Sequence, residues 1–573
     1  MYIESVPNHG SRPTILLRHG RREGPRVVKR TLANLSDWPE EKIDAFRRIL
    51  ANERLVPVEQ LVTIERSVAH GHAEAILGTI HKIGLDSLIA SKRSRQRDLV
   101  LAMIAERLIA PASKLGTTRL WNNSTLGEDL GVEDAEVEEL YAALDWLLVG
   151  QDRIERKLAR QHLQEGAKVL YDVSSSFYFG RHCALAAFGH DRDGKKGLPI
   201  IVYGLLTDQE GRPVSVHVYR GNTADPTTVP DQVQSLRDRF GLSRVVLVGD
   251  RGMLTNAQIE ALRAHPELGW ISCLRSPAIR SLVEQKHLQM SLLDEQRLAE
   301  LSVPEYPDER LIACHNPLLA AERARKREEL LTVTERGLEK IRRAAQRRTK
   351  TPMLRAEIGM RVGRVLYRHK MGKHFLLTII DGALSWERRK EAIEQEAALD
   401  GLYVIRTSEP AHQLSAPDAV RSYKSLSQVE RAFRSLKGFG LRIRPIFHRA
   451  ERRVRAHVFL CMLAYYVEWH MRRALAPLLF HDEELPTLRN TRPPVDPAIP
   501  SPSVQRKKAL RINEDGLPIH SFQTLLATLA TRCRHQCRID GQPLSFTQLT
   551  DPTPLQLQAL QLLDLVPRLR KSR

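Results

Sequence analysis

The spacing of apolar and polar positions predicts a run of strands in the first half of the chain. Three segments rich in β-branched and aromatic residues predict strands, namely KVLYDVSS from residue 168, LPIIVYGLLTD and PVSVHVYRG. A helix is predicted at about residues 227–240. It is followed by the unbroken apolar strand RVVLVGD, by a helix near residues 255–264 and by a strand at residues 269–274. The predicted order is therefore β-β-β-α-β-α-β.

This order is that of an RNase H-like core. We therefore predict an α/β fold with a mixed sheet flanked by helices, and we place the first part of the core at residues 165–275. The second part is predicted at residues 411–475. There, residues 454–473 are apolar enough to form a helix that packs under the sheet.

Between the two parts of the core, residues 276–410 are predicted to form an inserted α+β subdomain. A structureless loop of this length is improbable. A long basic helical stretch is predicted at residues 317–361. The strand-like pieces that follow it are residues 364–367, 374–380 and 401–407.

The flanking regions have different patterns. Residues 1–55 contain short β-type runs among basic turns, and residues 56–164 are predicted to be helical with almost no strand signal. Within the helical region, residues 97–108 and 113–121 flank a break at Pro111. This pair could form a helix-turn-helix, or it could belong to a plain helical bundle.

The C-terminal part begins with seven prolines between residues 477 and 502. We interpret residues 476–510 as a Pro-rich linker and residues 511–573 as a small C-terminal region. Amphipathic character appears in it around residues 521–529.

Charge narrows the choice of partner. The chain carries a net charge of +20, spread along its length, so nucleic acid is the leading partner and the helical region at residues 56–164 is a candidate DNA-binding region. The longest apolar run, residues 458–467, is shorter than the roughly 20 residues that a membrane span needs. The N-terminus has no signal-peptide pattern, so a cytoplasmic protein is expected. The six cysteines are scattered, which indicates neither a disulfide framework nor a four-ligand zinc site.

The segment YKSLSQVERAFRSLK places Tyr423, Glu430 and Lys437 at intervals of seven residues. Seven residues are two helical turns less about 20°, so these three side chains are predicted to share one face of one helix. The apolar stripe of that helix is predicted to be Val429, Ala432, Phe433 and Leu436. Residues 421–455 contain eleven Lys or Arg and two acids, Glu430 and Glu451, which suits an anionic polymer.

Three acids occupy positions where they could meet. Asp172 is in the first predicted strand, Asp250 ends the fourth, and Glu430 is on the later helix. In an RNase H-like core these elements are neighbours, and three converging carboxylates suit Mg²⁺ or Mn²⁺. Each acid also has a structural alternative. Asp172 could be a hydrogen-bonded buried acid, Asp250 could cap the next turn, and Glu430 could pair with Arg434.

Four segments resemble the DDE transposases of bacterial insertion sequences. They are YDVSSSFYFG at residues 171–180, GNTADPTTV at 221–229, VVLVGDRGML at 245–254 and the segment at 423–437. The resemblance is to the branch with a Tyr-x2-Arg-x3-Glu-x6-Lys signature and an insertion before the third acid.

The resemblance implies that Asp172, Asp250 and Glu430 are the catalytic, metal-binding acids and that Tyr423 and Lys437 contact DNA phosphate. The signature's Arg position is Leu426 here, and Lys424 or Arg434 could supply the missing contact.

It also implies a cofactor of Mg²⁺ or Mn²⁺, expected as two ions. The implied partners are double-stranded DNA, both the element's terminal inverted repeats and the target, and further copies of the chain in a dimer or larger synaptic complex. The implied activity is cut-and-paste DNA transposition by strand cleavage and strand transfer.

Two rival functions stay open on the sequence. One is a metal-dependent nuclease on the same core that cuts without joining. The other is a non-catalytic DNA-binding repressor or architectural protein derived from a transposase. An RNA-binding protein is a weaker alternative, because aromatic residues make up only 5% of the chain.

Overall fold

The computed structural model describes residues 1–53, 62–265, 267–293, 297–539 and 544–566. The predicted start of the helical region at residue 56 lies outside these ranges, as do residues 294–296 of the predicted insertion and parts of the C-terminal region. The chain divides into two units. One comprises Met1–Val68 with Cys533–Asp551, and the other comprises Ala69–Arg532 with Pro552–Arg573.

In the described ranges the strands are β1 Tyr2–Asn8, β2 Ser11–Glu23, β3 Arg26–Asn34, β4 Val62–Ala69, β5 Ala167–Phe177, β6 Ile200–Asp208, β7 Pro213–Arg220, β8 Val245–Val248, β9 Leu268–Cys273, β10 Leu298–Leu301, β11 Arg310–His315, β12 Phe375–Ile380, β13 Ala383–Arg388, β14 Leu402–Thr407, β15 Cys533–Ile539 and β16 Ser545–Leu549.

The α-helices of the same ranges are α1 Glu40–Leu50, α2 Gly71–Lys82, α3 Leu85–Ile89, α4 Arg95–Ile109, α5 Lys114–Leu120, α6 Leu126–Leu130, α7 Val137–Val149, α8 Gln151–His162, α9 Val229–Gln234, α10 Asn256–Arg263, α11 Ser276–Glu284, α12 Pro317–Gln346, α13 Arg355–His369, α14 Lys390–Ala397, α15 Ala416–Lys424, α16 Leu426–Lys437, α17 Glu451–Ala474, α18 Leu485–Thr491, α19 Pro502–Leu510, α20 Phe522–Ala530 and α21 Pro554–Leu562. A π-helical turn at Ser235–Arg239 continues α9.

The larger unit is built on an eight-stranded mixed sheet of order β10-β11-β14-β9-β8-β5-β6-β7. Strands β5, β6 and β7 are antiparallel neighbours, whereas β5, β8 and β9 run parallel. The predicted order β-β-β-α-β-α-β is confirmed, as is the predicted adjacency of the first and fourth strands. Helix α16 packs on β5 and β6, and α17 packs on β7 and on α4 and α7. These contacts place α16 on β5, the strand that carries Asp172.

The predicted inserted subdomain, residues 276–410, is divided between the main sheet and a separate lobe. Strands β10, β11 and β14 do not form a separate subdomain, because they extend the main sheet beyond β9. Helices α12 and α13 with strands β12 and β13 instead form a lobe with its own apolar core. The strand predicted at residues 364–367 is wrong, since these residues lie in α13. The apolar positions of α13, namely Ile358, Val362, Val365 and Leu366, have helical spacing.

The helical region holds both helices of the predicted helix-turn-helix, as α4 and α5. Helix α4 is buried at every position from Arg97 to Leu108, as a helix inside a bundle is. It therefore presents no face to a partner, and the bundle interpretation fits the structure. The prediction of almost no strand in this region was wrong at β4, which pairs with β15 from the other end of the chain.

The predicted linker at residues 476–510 contains regular helices. The stretch predicted as Pro-rich linker contains α18 and α19, in which Pro486 and Pro502 occupy the first turn. Proline is favoured there, because the missing N–H has no partner in a helix's first turn anyway. In the part of the chain that the structure describes, no helix is both long and apolar enough to span a bilayer.

Candidate active site

Asp172 lies in the middle of β5, and the residues before and after it in the strand, Tyr171 and Val173, are buried. The parallel register pairs Leu170 with Val248 of β8. The paired segment ends there, and Asp172 and Asp250 each lie two residues beyond this end of it, on neighbouring strands about 4.8 Å apart. The sheet itself therefore brings these two carboxylates together.

The electrostatics of Asp172 couple it to the other two acids. Burial, with a smaller contribution from the carboxylates of Asp250 and Glu430, raises the pKa of Asp172 to about 7. A hydrogen bond from the Val173 N–H to Oδ1 (2.7 Å) and the charge of Arg192 act in the opposite direction. Asp172 is thus a half-buried acid held among like charges, a common property of functional sites.

Asp250 follows β8 at the carboxyl end of the strand and is exposed. Its Oδ1 accepts hydrogen bonds from the N–H groups of Gly252 (2.9 Å) and Met253 (2.8 Å), so it does cap the turn that follows. No protein hydrogen bond to Oδ2 occurs in the described part of the chain. One oxygen is therefore fixed by the turn while the other remains available to a ligand.

Glu430 projects from the exposed side of α16. The predicted apolar stripe of this helix is confirmed, since Val429, Ala432, Phe433 and Leu436 are all buried. The alternative pairing of Glu430 with Arg434 is absent from the described residues. Glu430 is therefore held by a helix anchored in the core, but its own carboxylate is not committed to a neighbour.

None of the three acids has a Lys, Arg or His partner within ion-pair distance in the described ranges. This is unusual in a protein of net charge +20, and the nearby acids Asp418 and Glu451 do each pair with an arginine (2.9 and 2.7 Å). Three carboxylates without a cation are the donor set that a hard divalent ion prefers.

The carboxylate oxygens are not gathered into a finished ligand set. Within the described residues no group of three or more His, Cys, Asp or Glu side chains is close enough together to hold a metal ion. The donor types fit such an ion. The exposed Glu430 side chain is free to rotate toward Asp172, whereas Asp250 is held by the turn and offers its Oδ2. The chemistry of the site therefore fits a divalent cation, and closing the site requires side-chain movement.

Tyr423 does not share a helix with Glu430, so this prediction was wrong. Helix α15 ends after Lys424 and α16 begins at Leu426. The Ser422 and Ser425 hydroxyls donate to the backbone carbonyls of Asp418 and Ser422, and such serine bonds compete with helix continuation. The Tyr423 phenol is largely buried, and burial, together with nearby Cys273 and Asp250, raises its pKa. It thus reaches the site beside Asp250.

The two predicted lysine contacts have protein partners. Lys424 Nζ donates to the carbonyls of Val495 (2.7 Å) and Asp496 (3.1 Å), and burial lowers its pKa. Lys437 Nζ forms an ion pair with Asp193 (3.0 Å), whose side chain is 1% exposed. Burial also lowers the pKa of Lys437. Both ammonium groups therefore hold neighbouring segments in place.

Arg434 is different from the two lysines. It lies one turn beyond Glu430 on the same face of α16, it is exposed, and it has no ion-pair partner in the described residues. Its guanidinium is therefore available for a phosphate group next to the acids.

The loop between β5 and β6 was not predicted to belong to the site. There Asp193 accepts from the Phe177 N–H (3.2 Å) and pairs with both Lys437 and Arg444, which ties α16 to the end of β5. Arg192 pairs with Asp225 and contributes to the charge around Asp172. The run Asp191-Arg192-Asp193 between two glycines was the available signal.

The family model for the transposase DDE domain matches residues 177–467, which is more than half of the chain. The chain belongs to the DDE transposases. The match includes Asp250 and Glu430 and begins five residues after Asp172. A second family model, the N-terminal domain of IS1634 family transposases, matches residues 3–56. The protein is thus a DNA transposase, an enzyme of a class that uses divalent metal ions, and its resemblance to insertion-sequence transposases is confirmed.

Among solved structures, the transposase is similar to the cryo-EM structure of a piggyBac transposase synaptic complex with hairpin DNA. The identity is 9%, the TM-score is 0.34, and the alignment covers 80% of this chain and 76% of that one. No curated protein matches the sequence.

Proposed function

We propose that this transposase binds the terminal inverted repeats of its own insertion sequence and moves the element by cut-and-paste strand cleavage and strand transfer. Asp172, Asp250 and Glu430 form the proposed catalytic triad, on an RNase H-like core made of residues 165–275 and 411–475. The observation that carries the proposal is that carboxylates from β5, β8 and α16 act on one another without any cationic partner in the described ranges.

The triad is proposed to hold Mg²⁺ or Mn²⁺, as two ions. Such ions activate an attacking water or 3′-hydroxyl and offset the charge of the leaving oxygen of a phosphodiester. A bound cation would favour the ionised form of Asp172, because its charge would offset that of the neighbouring carboxylates. The Gly252 and Met253 N–H groups hold Asp250 in place during the reaction.

The neighbouring residues are assigned roles from their surroundings. Arg434 is proposed to contact a DNA phosphate beside Glu430. Tyr423 is proposed to orient Asp250 or the same phosphate through its hydroxyl. For Lys437 we propose that it positions α16 against the β5–β6 loop through Asp193, so that its effect on DNA is indirect. Lys424 is left out of the proposed phosphate contacts, because its ammonium is bound to backbone carbonyls.

The family's chemistry handles two DNA ends together, so we propose that the active form is a dimer or larger synaptic complex. Its place of action is proposed to be the bacterial cytoplasm, where the element and its target DNA lie.

The test is cleavage and joining of labelled DNA that carries the element's ends, with Mg²⁺ or Mn²⁺. The wild type is compared with Glu430→Gln and with Glu451→Gln, which removes the other acid of residues 421–455. We expect joined product from the wild type and from Glu451→Gln, and none from Glu430→Gln. Cutting without joining by the wild type would move the function to a nuclease. Tight binding without any cutting would move it to a repressor.

A further inference from the structure

The N-terminal sheet extends into a two-stranded arm. Strand β1 pairs with β2 only as far as Arg18, which lies opposite Tyr2. From His19 to Glu23, β2 pairs with β3 alone, at positions Arg26 to Arg30. Every residue from 19 to 32 is exposed, so neither face of this arm is covered within its unit. We call residues 19–30 of the arm the ribbon.

The ribbon has a defined conformation. Glu23 and Arg26 are opposite each other, so Gly24 and Pro25 form a two-residue turn. Gly24 has φ +62°, which tight hairpin turns require at their first position, and Pro25 restricts the second. At the base, Glu4 of β1 binds both Arg18 (2.7 Å) and Lys29 (2.9 Å). The strands are thus fixed in register at both ends.

The charge of the ribbon is not balanced. Between His19 and Arg30 there are five basic side chains and one acid, Glu23, the basic ones being Arg21, Arg22, Arg26, Lys29 and Arg30.

 Lys29 is paired with Glu4, but among the described residues no acid lies within ion-pair distance of the four arginines. Like charges held this close repel one another, and a negatively charged partner removes the penalty.

Apolar side chains lie among these arginines. Val27 is 60% exposed and Val28 is 49% exposed, and they stand directly opposite Arg22 and Arg21. Phosphate contacts alone do not require exposed apolar side chains such as these. Apolar contacts of this kind suit the methyl group of thymine at the edge of a base pair.

The dimensions also fit DNA. Five residues per strand extend about 17 Å, and a two-stranded ribbon fits the major groove, which is about 12 Å wide. A second copy of the chain is a poorer occupant, because pairing two ribbons edge to edge would bring their unpaired arginines together. Helix α4 of the pair first considered for DNA contact is buried from Arg97 to Leu108, so that helix offers no face to a groove.

We propose that the β2–β3 ribbon enters the major groove of the element's end. Because strand side chains alternate between faces, Arg21, Arg26, Val28 and Arg30 share the face that contacts base edges and phosphates, and Arg22 on the other face contacts phosphate. This assignment rests on the proposed function, in which the transposase binds the ends of its own element, and it names the part of the chain that reads them.

The test measures binding of the full-length protein to a duplex that carries the terminal repeat flanking the coding sequence, and to an unrelated duplex of equal length. The ribbon variant is Arg21→Gln with Arg22→Gln. The matched control is Arg47→Gln with Arg48→Gln on α1, which removes the same charge from exposed arginines that are paired with Asp44 and Glu53. Melting temperatures of both variants are expected to equal the wild type's, because all four side chains are exposed.

The ribbon variant is expected to bind the end duplex at least about tenfold more weakly. The slope of log K against log salt is expected to fall by up to about 1.8, or about 0.9 for each phosphate that the variant no longer neutralises. The control is expected to stay within about twofold. Wild-type protein should protect guanine N7 from dimethyl sulfate in the end duplex, and the ribbon variant should lose this protection.

Three results would overturn the inference: equal losses in the two variants, wild-type binding by the ribbon variant, or protection confined to the minor groove. Its failure is separable from failure of the proposed catalysis. Ribbon-dependent binding without cleavage in Mg²⁺ would support the ribbon's role in DNA binding and contradict the proposed triad. Cleavage that is unchanged in the ribbon variant would support the triad and contradict the ribbon's role.

Discussion

The central sheet and the N-terminal ribbon are both β-structure, but they are opposite in burial and in charge. Around Asp172 the strands are covered on both faces, and the three acids there have no cation within ion-pair distance in the described chain. The ribbon is exposed on all sides, and four of its arginines have no acid partner in the same ranges. In each region, these charged side chains lack the oppositely charged partners that most charged groups near a folded core have.

The two regions tolerate unpaired charge for different physical reasons. Asp172 is partly buried in the sheet, where an unpaired acid is costly, and Asp250 and Glu430 are carried by a turn and a helix packed against that sheet. This arrangement suits a small divalent ion that must be bound at fixed points. Exposed arginines remain hydrated, so the absence of an acid partner costs little free energy. An exposed ribbon suits binding to a long polyanion from solution. The following predictions test this division between metal chemistry and DNA binding.

The largest effect is expected for Asp250→Asn. Removing one carboxylate from the triad should lower the rate of strand cleavage by about 10³-fold or more, as loss of a charge-stabilising group in an active site does. Binding of the end duplex should be unchanged or slightly tighter, since one negative charge is lost. The measurement is single-turnover cleavage with Mg²⁺. Asp418→Asn, which removes a paired acid from α15, is the control, and an equal loss in this variant would contradict the assignment.

Lys437→Met is expected to act on stability. It leaves the buried Asp193 with Arg444 and the Phe177 N–H as remaining partners, so the free energy of unfolding should fall by about 1–3 kcal/mol. Urea unfolding monitored by circular dichroism measures this change. A loss of DNA affinity with unchanged stability would instead show that Lys437 contacts phosphate directly.

The pKa of Asp172 predicts how the metal-free protein responds to pH. The pKa is raised from 3.8 to about 7 by burial and by two carboxylates, so the folded chain keeps a proton that the unfolded chain releases between about pH 4 and 7. The free energy of unfolding therefore falls as pH rises through this window. Asp172→Asn removes the effect. Relative to wild type, this variant should gain roughly 1–3 kcal/mol at pH 8 and little near pH 4.

The same group sets the pH dependence of metal binding. Below about pH 7 the cation must displace the proton on Asp172, so the apparent Mn²⁺ affinity should rise with pH, by up to about tenfold per unit, and level off above pH 7. Isothermal titration of the wild type from pH 6 to 8 measures it. A flat profile would place Asp172 outside the metal site.

Arg434→Gln is expected to have the smallest effect. It removes one proposed phosphate contact, so the affinity for the end duplex should fall a few-fold and the salt slope by about 0.9. Stability should not change, because the side chain is exposed and unpaired in the described chain. If this one residue weakened binding as much as the ribbon variant does, DNA binding would not be divided between the two regions as we infer.

The site was predictable in part because its residues lie on elements with strong local patterns. The β-branched run around Asp172 and the apolar run before Asp250 each predict a strand, and the stripe beginning at Val429 predicts α16. The resemblance to DDE transposases then selected these acids among the 68 in the chain. The roles of Lys424 and Lys437 were not predictable, because a lysine's partner depends on which segments fold against it.

The element order of the core, the apolar face of α16 and the excess of positive charge all follow from the amino-acid sequence alone. These properties depend on residues within a few turns or on composition. Three other features needed the folded chain: β10, β11 and β14 extend the main sheet, β4 pairs with β15, and α4 is buried. Strand pairing and burial depend on backbone edges and surfaces that meet across hundreds of residues, and local periodicity carries no information about which ones will meet.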